Sequence, residues 1–175
     1  VVGDDAEWQC NDDDAGPITF INCLFADNAC NDDRLIELKA AFSLLNCTFI
    51  GNVAGDKAMI AVRGRDWDST GDGDDDVTTD DSIIDNCLFI NNTNLSSGLW
   101  MGGGAICVYY ASPTITNCTF AGNYAARPGG ALFSYGGNIL VEDCTFRDNR
   151  GGFYGAGIGH YRQGAPVWTV RGCTF

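Results

Sequence analysis

Apolar and polar positions alternate in short bursts along this chain, each broken by Asn, Asp or Gly. Pro113 to Asn123, read as PTITNCTFAGN, is the clearest burst, and its central Asn-Cys-Thr-Phe returns with small edits at Cys23 (NCLF), Cys47 (NCTF), Cys87 (NCLF), Cys144 (DCTF) and Cys173 (GCTF). Successive cysteines of the set Cys23, Cys47, Cys87, Cys118, Cys144 and Cys173 are 24, 40, 31, 26 and 29 residues apart, close to solenoid periods with loop insertions of variable length. The β-branched and aromatic run Ile115-Thr-Asn-Cys-Thr-Phe120 is too short and too punctuated for a helix and predicts strand, turn, strand. With Asn117 in a left-handed turn, alternation restarts after it, so Cys118 and Phe120 point inward and Thr119 outward.

A second turn signal follows each Phe in FADN, FIGN, FINN, FAGN and FRDN, ending on Asn28, Asn52, Asn92, Asn123 and Asn149. Between that corner and the next Cys motif, the later copies carry a glycine-led strand: GGGAICVYY (Gly102 to Tyr110), GGALFSY (Gly129 to Tyr135) and GAGIGHY (Gly155 to Tyr161). Three short strands per coil, each pairing in parallel with its equivalent one coil away, predict an all-β fold: a right-handed parallel β-helix, a solenoid of about six coils. The whole chain, residues 1–175, is expected to form one such domain. Residues 1–17 read as an irregular acidic N-terminal segment, 65–81 as an acidic loop insertion, and 93–101 as a loop with an apolar tip at Leu99, Trp100 and Met101.

The pairing of a GGA-I/L segment with a following C-T-F-x-x-N segment resembles the repeats of polymorphic outer-membrane, autotransporter-type surface proteins, and more broadly the pectin-lyase-like superfamily. The resemblance runs from Ile18 to Phe175 and is cleanest from Gly102 onward; LIELKAAF (Leu35 to Phe42) and MIAVRG (Met59 to Gly64) stand where the glycine-led strand is expected. It implies a fold rather than an activity, because such motifs are packing elements.

Charge narrows the partners. Ten Lys and Arg against 23 Asp and Glu give a net charge of −13, whose field repels nucleic acid and anionic membranes and favours cations. The 45% hydrophobic content is enough for a continuous core. No apolar run reaches the length of a membrane span, and the start at Val1, without Met or a signal-like stretch, is that expected of a processed product or a fragment. Val167 to Phe175 reads as a repeat strand, so the expected partners are further repeats of the same chain or copies of itself meeting head to tail, with surface glycans as another candidate.

Candidate chemistry is concentrated in carboxylates and cysteines. In Asp66 to Asp76 (DWDSTGDGDDD), the residues Asp68, Thr70, Asp72, Gly73, Asp74 and Asp76 fall at positions 1, 3, 5, 6, 7 and 9 of an EF-hand-type loop, while position 12 is Thr79 rather than Glu. Asp66, Asp68, Asp72, Asp74 and Asp76 are therefore the candidate Ca²⁺ ligands, with Asp80 a substitute for the missing Glu. The six motif cysteines are expected to form an unbridged interior ladder acting as small hydrophobes, since their Cβ vectors run parallel. Cys107 belongs to a core strand. Cys10 and Cys30, in polar Asn/Asp-rich surroundings, are the disulfide candidate; the bridge would close a loop of about 20 residues and contribute roughly 3 kcal/mol. Asn91 and Asn94 are the candidate N-glycosylation acceptors, whereas Asn46 and Asn117 are read as turn residues stacked into an amide ladder.

No catalytic residue is assigned. The superfamily resemblance implies that an enzyme would present paired Asp residues, a His between glycines and a nearby Arg-x-Lys; GIGHYR supplies His160 and Arg162 without that setting, and His160 is read as an outward strand residue or a stacking partner of Tyr161. The expectation is a non-enzymatic extracellular or cell-surface building block, a spacer, adhesive surface or filament unit. The alternative is a carbohydrate-active β-helix enzyme or a glycan-binding module, distinguished by whether acidic and basic residues align along one strand face.

Overall fold

The structure, a computed structural model, describes residues 17–30, 35–38, 41–55, 59–63, 82–98, 101–161 and 167–175, together with the backbone of 8–10. Among the described residues, twenty-two strands fall into four sheets, all of whose pairings are parallel. Sheet A holds β1 (Trp8–Cys10), β5 (Ile36–Leu38), β9 (Ile60–Arg63), β13 (Ile106–Tyr109), β17 (Leu132–Tyr135) and β21 (Ile158–Tyr161). Sheet B holds β2 (Ile18–Ile21), β6 (Phe42–Leu45), β10 (Ile83–Asp85), β14 (Thr114–Thr116), β18 (Leu140–Glu142) and β22 (Thr169–Arg171). Sheet C holds β3 (Leu24–Ala26), β7 (Thr48–Ile50), β11 (Leu88–Ile90), β15 (Thr119–Ala121) and β19 (Thr145–Arg147). Sheet D holds the two-residue strands β4 (Ala29–Cys30), β8 (Val53–Ala54), β12 (Thr93–Asn94), β16 (Tyr124–Ala125) and β20 (Arg150–Gly151). Each strand pairs with its equivalent one coil away, which makes the chain a right-handed parallel β-helix.

Three expectations are corrected. A coil has four strands rather than three, because the corner after each Phe is followed by its own short strand in sheet D. The segment 1–17 is not wholly irregular: Trp8–Cys10 adds β1 to the edge of sheet A, with Trp8 opposite Ile36 and Cys10 opposite Leu38. The leading glycines of the later copies precede the strand instead of lying in it; Gly103, Gly129 and Gly155 take positive φ three residues before β13, β17 and β21.

Two left-handed corners shape every coil. Between sheets B and C stand Asn22, Asn46, Asn86, Asn117 and Asp143, with φ of 51° to 57°, a conformation that short polar side chains tolerate by bonding locally. Between sheets C and D the left-handed residue is Asp27, Gly51, Asn91, Gly122 or Asp148, one position before the Asn of FxxN. That Asn is therefore free to turn inward. Phenylalanines fill the centre: Phe25, Phe49, Phe89, Phe120, Phe146 and Phe175 stack with ring centroids 4.5 to 5.1 Å apart, the spacing of the coils themselves. Phe49, Phe89 and Phe120 are wholly buried, so each contributes apolar burial and a ring contact of about 0.5–1.5 kcal/mol beyond it.

Candidate functional site: two interior rails and the outer face of sheet A

The residue after each corner has a backbone problem, because a left-handed turn carries its N–H out of the regular ladder. Side chains solve it. The N–H groups of Cys47, Cys87 and Cys118 each donate to the Sγ of the equivalent cysteine one coil on (Cys87, Cys118 and Cys144), at 3.4 Å in all three cases. Each sulfur in turn donates to carbonyls, Cys118 to Thr116 O at 3.0 Å and Cys87 to Asp85 O at 3.3 Å and Leu44 O at 3.4 Å. Cys23, Cys47, Cys87, Cys118, Cys144 and Cys173 thus line one unbridged interior column, half-buried at its two ends and buried between. They are hydrogen-bonding brackets as well as small apolar groups, a role that packing periodicity alone did not suggest.

Acidity varies along the column. Sulfur contacts with Cys144 and Cys87, reinforced by burial, hold Cys118 well above the usual thiol range, and its neighbours Cys87 and Cys144 are drawn down by the same contact. Burial raises Cys47 and Cys173. The raised thiols, Cys118 above all, stay protonated and are poor nucleophiles.

The second rail is asparagine. Oδ1 of Asn52, Asn92, Asn123 and Asn149 accepts both the N–H and the amide of the Asn one coil earlier, at 2.8 to 3.2 Å. Each of these four amides also donates to the carbonyl of a Phe in the preceding coil, as Asn92 does to Phe49 O at 2.9 Å. Asn52, Asn92 and Asn123 are completely buried. The continuous amide ladder therefore belongs to the FxxN position and not to Asn46 and Asn117. Those two sit exposed at the other corner, where Asn46 accepts from the Asn86 amide at 2.7 Å and Asn117 donates instead to Asp85 Oδ1 at 2.8 Å.

Sheet A carries the other concentration of polar and aromatic groups, on its outer face. Strand alternation puts Ile60, Val62, Ile106, Val108 and Leu132 in the core and turns Glu37, Ala61, Arg63, Cys107, Tyr109, Phe133, Tyr135 and Tyr161 the other way. Arg63 Nε lies 2.9 Å from Glu37 Oε1, and its guanidinium lies 5.2 Å from the Tyr109 ring centroid. Tyr109 Oη donates to Met101 Sδ at 2.7 Å, and Tyr135 stacks on Tyr161 at 5.4 Å. The ion pair is enclosed, with side chains 11% and 5% exposed, so one acid and one base do share the outer face of sheet A, on the neighbouring strands β5 and β9, but are closed on each other. Cys107 is buried in this outer cluster rather than in the central core.

Individual expectations resolve as follows. His160 faces inward, being two residues beyond Ile158, which packs against the core, and its ring tilts against Trp168 at 5.0 Å; Tyr161, one position on, points outward to Tyr135. The reading of His160 as an outward residue or a Tyr161 partner is thereby corrected, because strand alternation separates neighbours. Asn94 is fully buried, and its amide donates to Met101 O (2.8 Å), Gly102 O (3.3 Å) and Gly103 O (3.0 Å), a setting that does not suit a glycan acceptor. Asn91 is exposed. Asp66, Asp68, Asp72, Asp74 and Asp76, the side chain of Cys10 and hence the Cys10–Cys30 bridge, Leu99, Trp100 and Arg162 lie outside the described residues. Among the described residues, no group of three or more His, Cys, Asp or Glu side chains is arranged to hold a metal ion, and no helix is long and apolar enough to cross a membrane.

The parallel coils, paired corners and stacked interior columns define a β-helix solenoid. Residues 68–175 match the model of the right handed beta helix region family, and the chain belongs to that family. No curated protein and no solved structure matches it.

Proposed function

We propose that this β-helix is a non-catalytic extracellular building block, a rigid surface that makes contacts through its loops and outer faces, in the manner of the autotransporter-type surface proteins its repeats resemble. One observation carries the reading: the chemistry-bearing side chains are engaged in holding the coils together. Cysteines and asparagines form the rails, and the aligned acid and base of sheet A, Glu37 and Arg63, are enclosed and joined at 2.9 Å. Calcium at Asp66, Asp68, Asp72, Asp74 and Asp76 belongs to the same proposal, since so dense a carboxylate cluster repels itself unless neutralised; calorimetric titration with Ca²⁺ tests it, and absence of heat rejects it.

The alternative, a carbohydrate-active enzyme, is favoured by the placement of Glu37 and Arg63 on one face of sheet A. Incubation with neutral and acidic polysaccharides, followed by assay of new reducing or unsaturated ends, separates the two readings. No turnover is expected. Turnover that Glu37→Gln abolishes, in a protein that remains folded, would replace the structural reading with the enzymatic one.

A further inference from the structure

Two exposed aromatic rings and two guanidinium groups lie on adjacent coils in and just after sheet D. Phe153 and Tyr154 are 67% and 53% exposed, although they follow directly on β20. Gly152 N–H donates to Ala125 O (2.9 Å) and Arg127 O (3.1 Å), which holds the 152–154 turn against the corresponding turn of the preceding coil. Arg127 reaches across both neighbours: its guanidinium lies 5.3 Å from the Phe153 ring centroid, and Nη2 donates to the carbonyl of Ser97. In sheet D of the same two coils, the register partners Arg150 and Tyr124 form a second such pair, the guanidinium 5.9 Å from the ring centroid. Leu95, 53% exposed, extends the same edge toward the earlier coil.

The charge at this edge is unusual for the chain. Among the described residues, Arg63 is paired with Glu37 at 2.9 Å, Arg171 with Glu142 at 2.7 Å and Arg147 with Asp148 at 3.6 Å, whereas Arg127 and Arg150 pair with rings instead of carboxylates. We infer that this edge binds a glycan of mostly neutral sugars bearing isolated carboxylates, as a single uronic or sialic unit would supply. The apolar face of a sugar ring stacks on Phe153 or Tyr154, as flat hydrophobic surfaces do on aromatic side chains. A guanidinium offers a planar fork matched to one carboxylate. A polyanion is disfavoured, because the chain's net charge of −13 repels a densely charged polymer while two local cations hold a lone carboxylate. An acidic peptide meets the same repulsion and gains less from the rings.

This inference rests on the contact role proposed above and specifies where and with what the contact is made. Calorimetry or chemical-shift titration of the 175-residue chain is the test, with 3′-sialyllactose, lactose, polygalacturonate and a Glu-rich peptide as probes. Sialyllactose is expected to bind more tightly than the other three, and Arg127→Gln and Phe153→Ala are each expected to weaken it by about tenfold, as loss of a central contact does. Leu24→Ser, on the outer face of sheet C, is the control that leaves binding unchanged. Equal or tighter binding of polygalacturonate or the peptide, no binding of sialyllactose, or unchanged affinity in the folded Arg127 and Phe153 variants would overturn it. New reducing ends in the same samples would instead strike at the non-catalytic reading and leave the binding edge standing, so the two failures are distinguishable.

Discussion

The backbone N–H of Cys87 donates to Sγ of Cys118 across 3.4 Å, from one coil to the next, and this single bond changes what the cysteine repeat means. If Cys118 were only a small hydrophobe, Ala would be a milder replacement than Ser. If its sulfur is the acceptor for an N–H displaced by a left-handed corner, the order reverses: Ser keeps an acceptor and can donate to Thr116 O, whereas Ala strands a buried N–H at a cost of about 1–3 kcal/mol. Chemical denaturation of Cys118→Ala and Cys118→Ser is expected to show the larger loss for Ala. A smaller loss for Ala would return the column to mere packing.

Asn92 makes a harsher case. Its Oδ1 accepts from both the N–H and the amide of Asn52, and its own amide donates to Phe49 O and Asn123 Oδ1, all with no solvent exposure. Asn92→Ala leaves several of these groups without partners, and a loss of roughly 3 kcal/mol or more is expected. Asn92→Asp should be worse, since it buries a charge and replaces a donor with an acceptor. Equilibrium unfolding measures both, and near-wild-type stability in either would show that the rail is dispensable.

Much of this architecture was legible in the residues because it repeats. One Cys-Thr-Phe is ambiguous, but six copies spaced by coil lengths fix strand direction, the inward pairing of Cys and Phe, and the left-handed Asn between strands. The missing fourth strand was hidden by its length: Ala125 and Ala54 lie in two-residue pieces that carry no periodicity. The exchange of ladder positions, from Asn46 and Asn117 to Asn92 and Asn123, had a different cause. Both kinds of Asn stand at corners, and only the register decides which takes the left-handed backbone and which turns its amide inward. His160 and Asn94 show the same limit, since exposure in a solenoid depends on strand phase and loop closure rather than on residue type.

Asp85 gives the fold a pH dependence with a definite sign. Thr116 Oγ1 donates to Asp85 Oδ1 at 2.6 Å and the Asn117 amide adds a second bond at 2.8 Å, and these, in that order, lower its carboxyl below the ordinary value. A carboxyl depressed in the folded state contributes stability above its unfolded value and loses it as pH falls through the folded one. Relative to Asp85→Asn, the wild-type chain is therefore expected to lose stability on acidification below about pH 4, and the two should run parallel above it. The effect is small because the group is largely solvated. Thermal melts of both proteins over that range decide it; parallel curves throughout would mean that the hydrogen bonds are as strong to the acid as to the carboxylate.

Asn91 and Gly122 test how neighbouring coils constrain one another's sequence. Both occupy the left-handed corner between sheets C and D, one coil apart, with φ of 52° and 64°. The Asn91 side chain folds forward over the next corner, and a Cβ added at Gly122 would be driven into Asn91 Oδ1. Asp27 stands in the same relation to Gly51, and Asp143 to Gly172 at the other corner. Gly122→Ala therefore carries two costs, a left-handed alanine of about 1–2 kcal/mol and displacement of the Asn91 carboxamide. In an Asn91→Gly background the second cost disappears while the first remains, because glycine tolerates the Asn91 backbone and has nothing to displace. A double-mutant cycle should then show favourable coupling of about 1 kcal/mol, read as a smaller destabilisation by Gly122→Ala when Asn91 is absent. Additive effects would show that the carboxamide moves aside freely and that glycine is required at Gly122 by its own backbone alone.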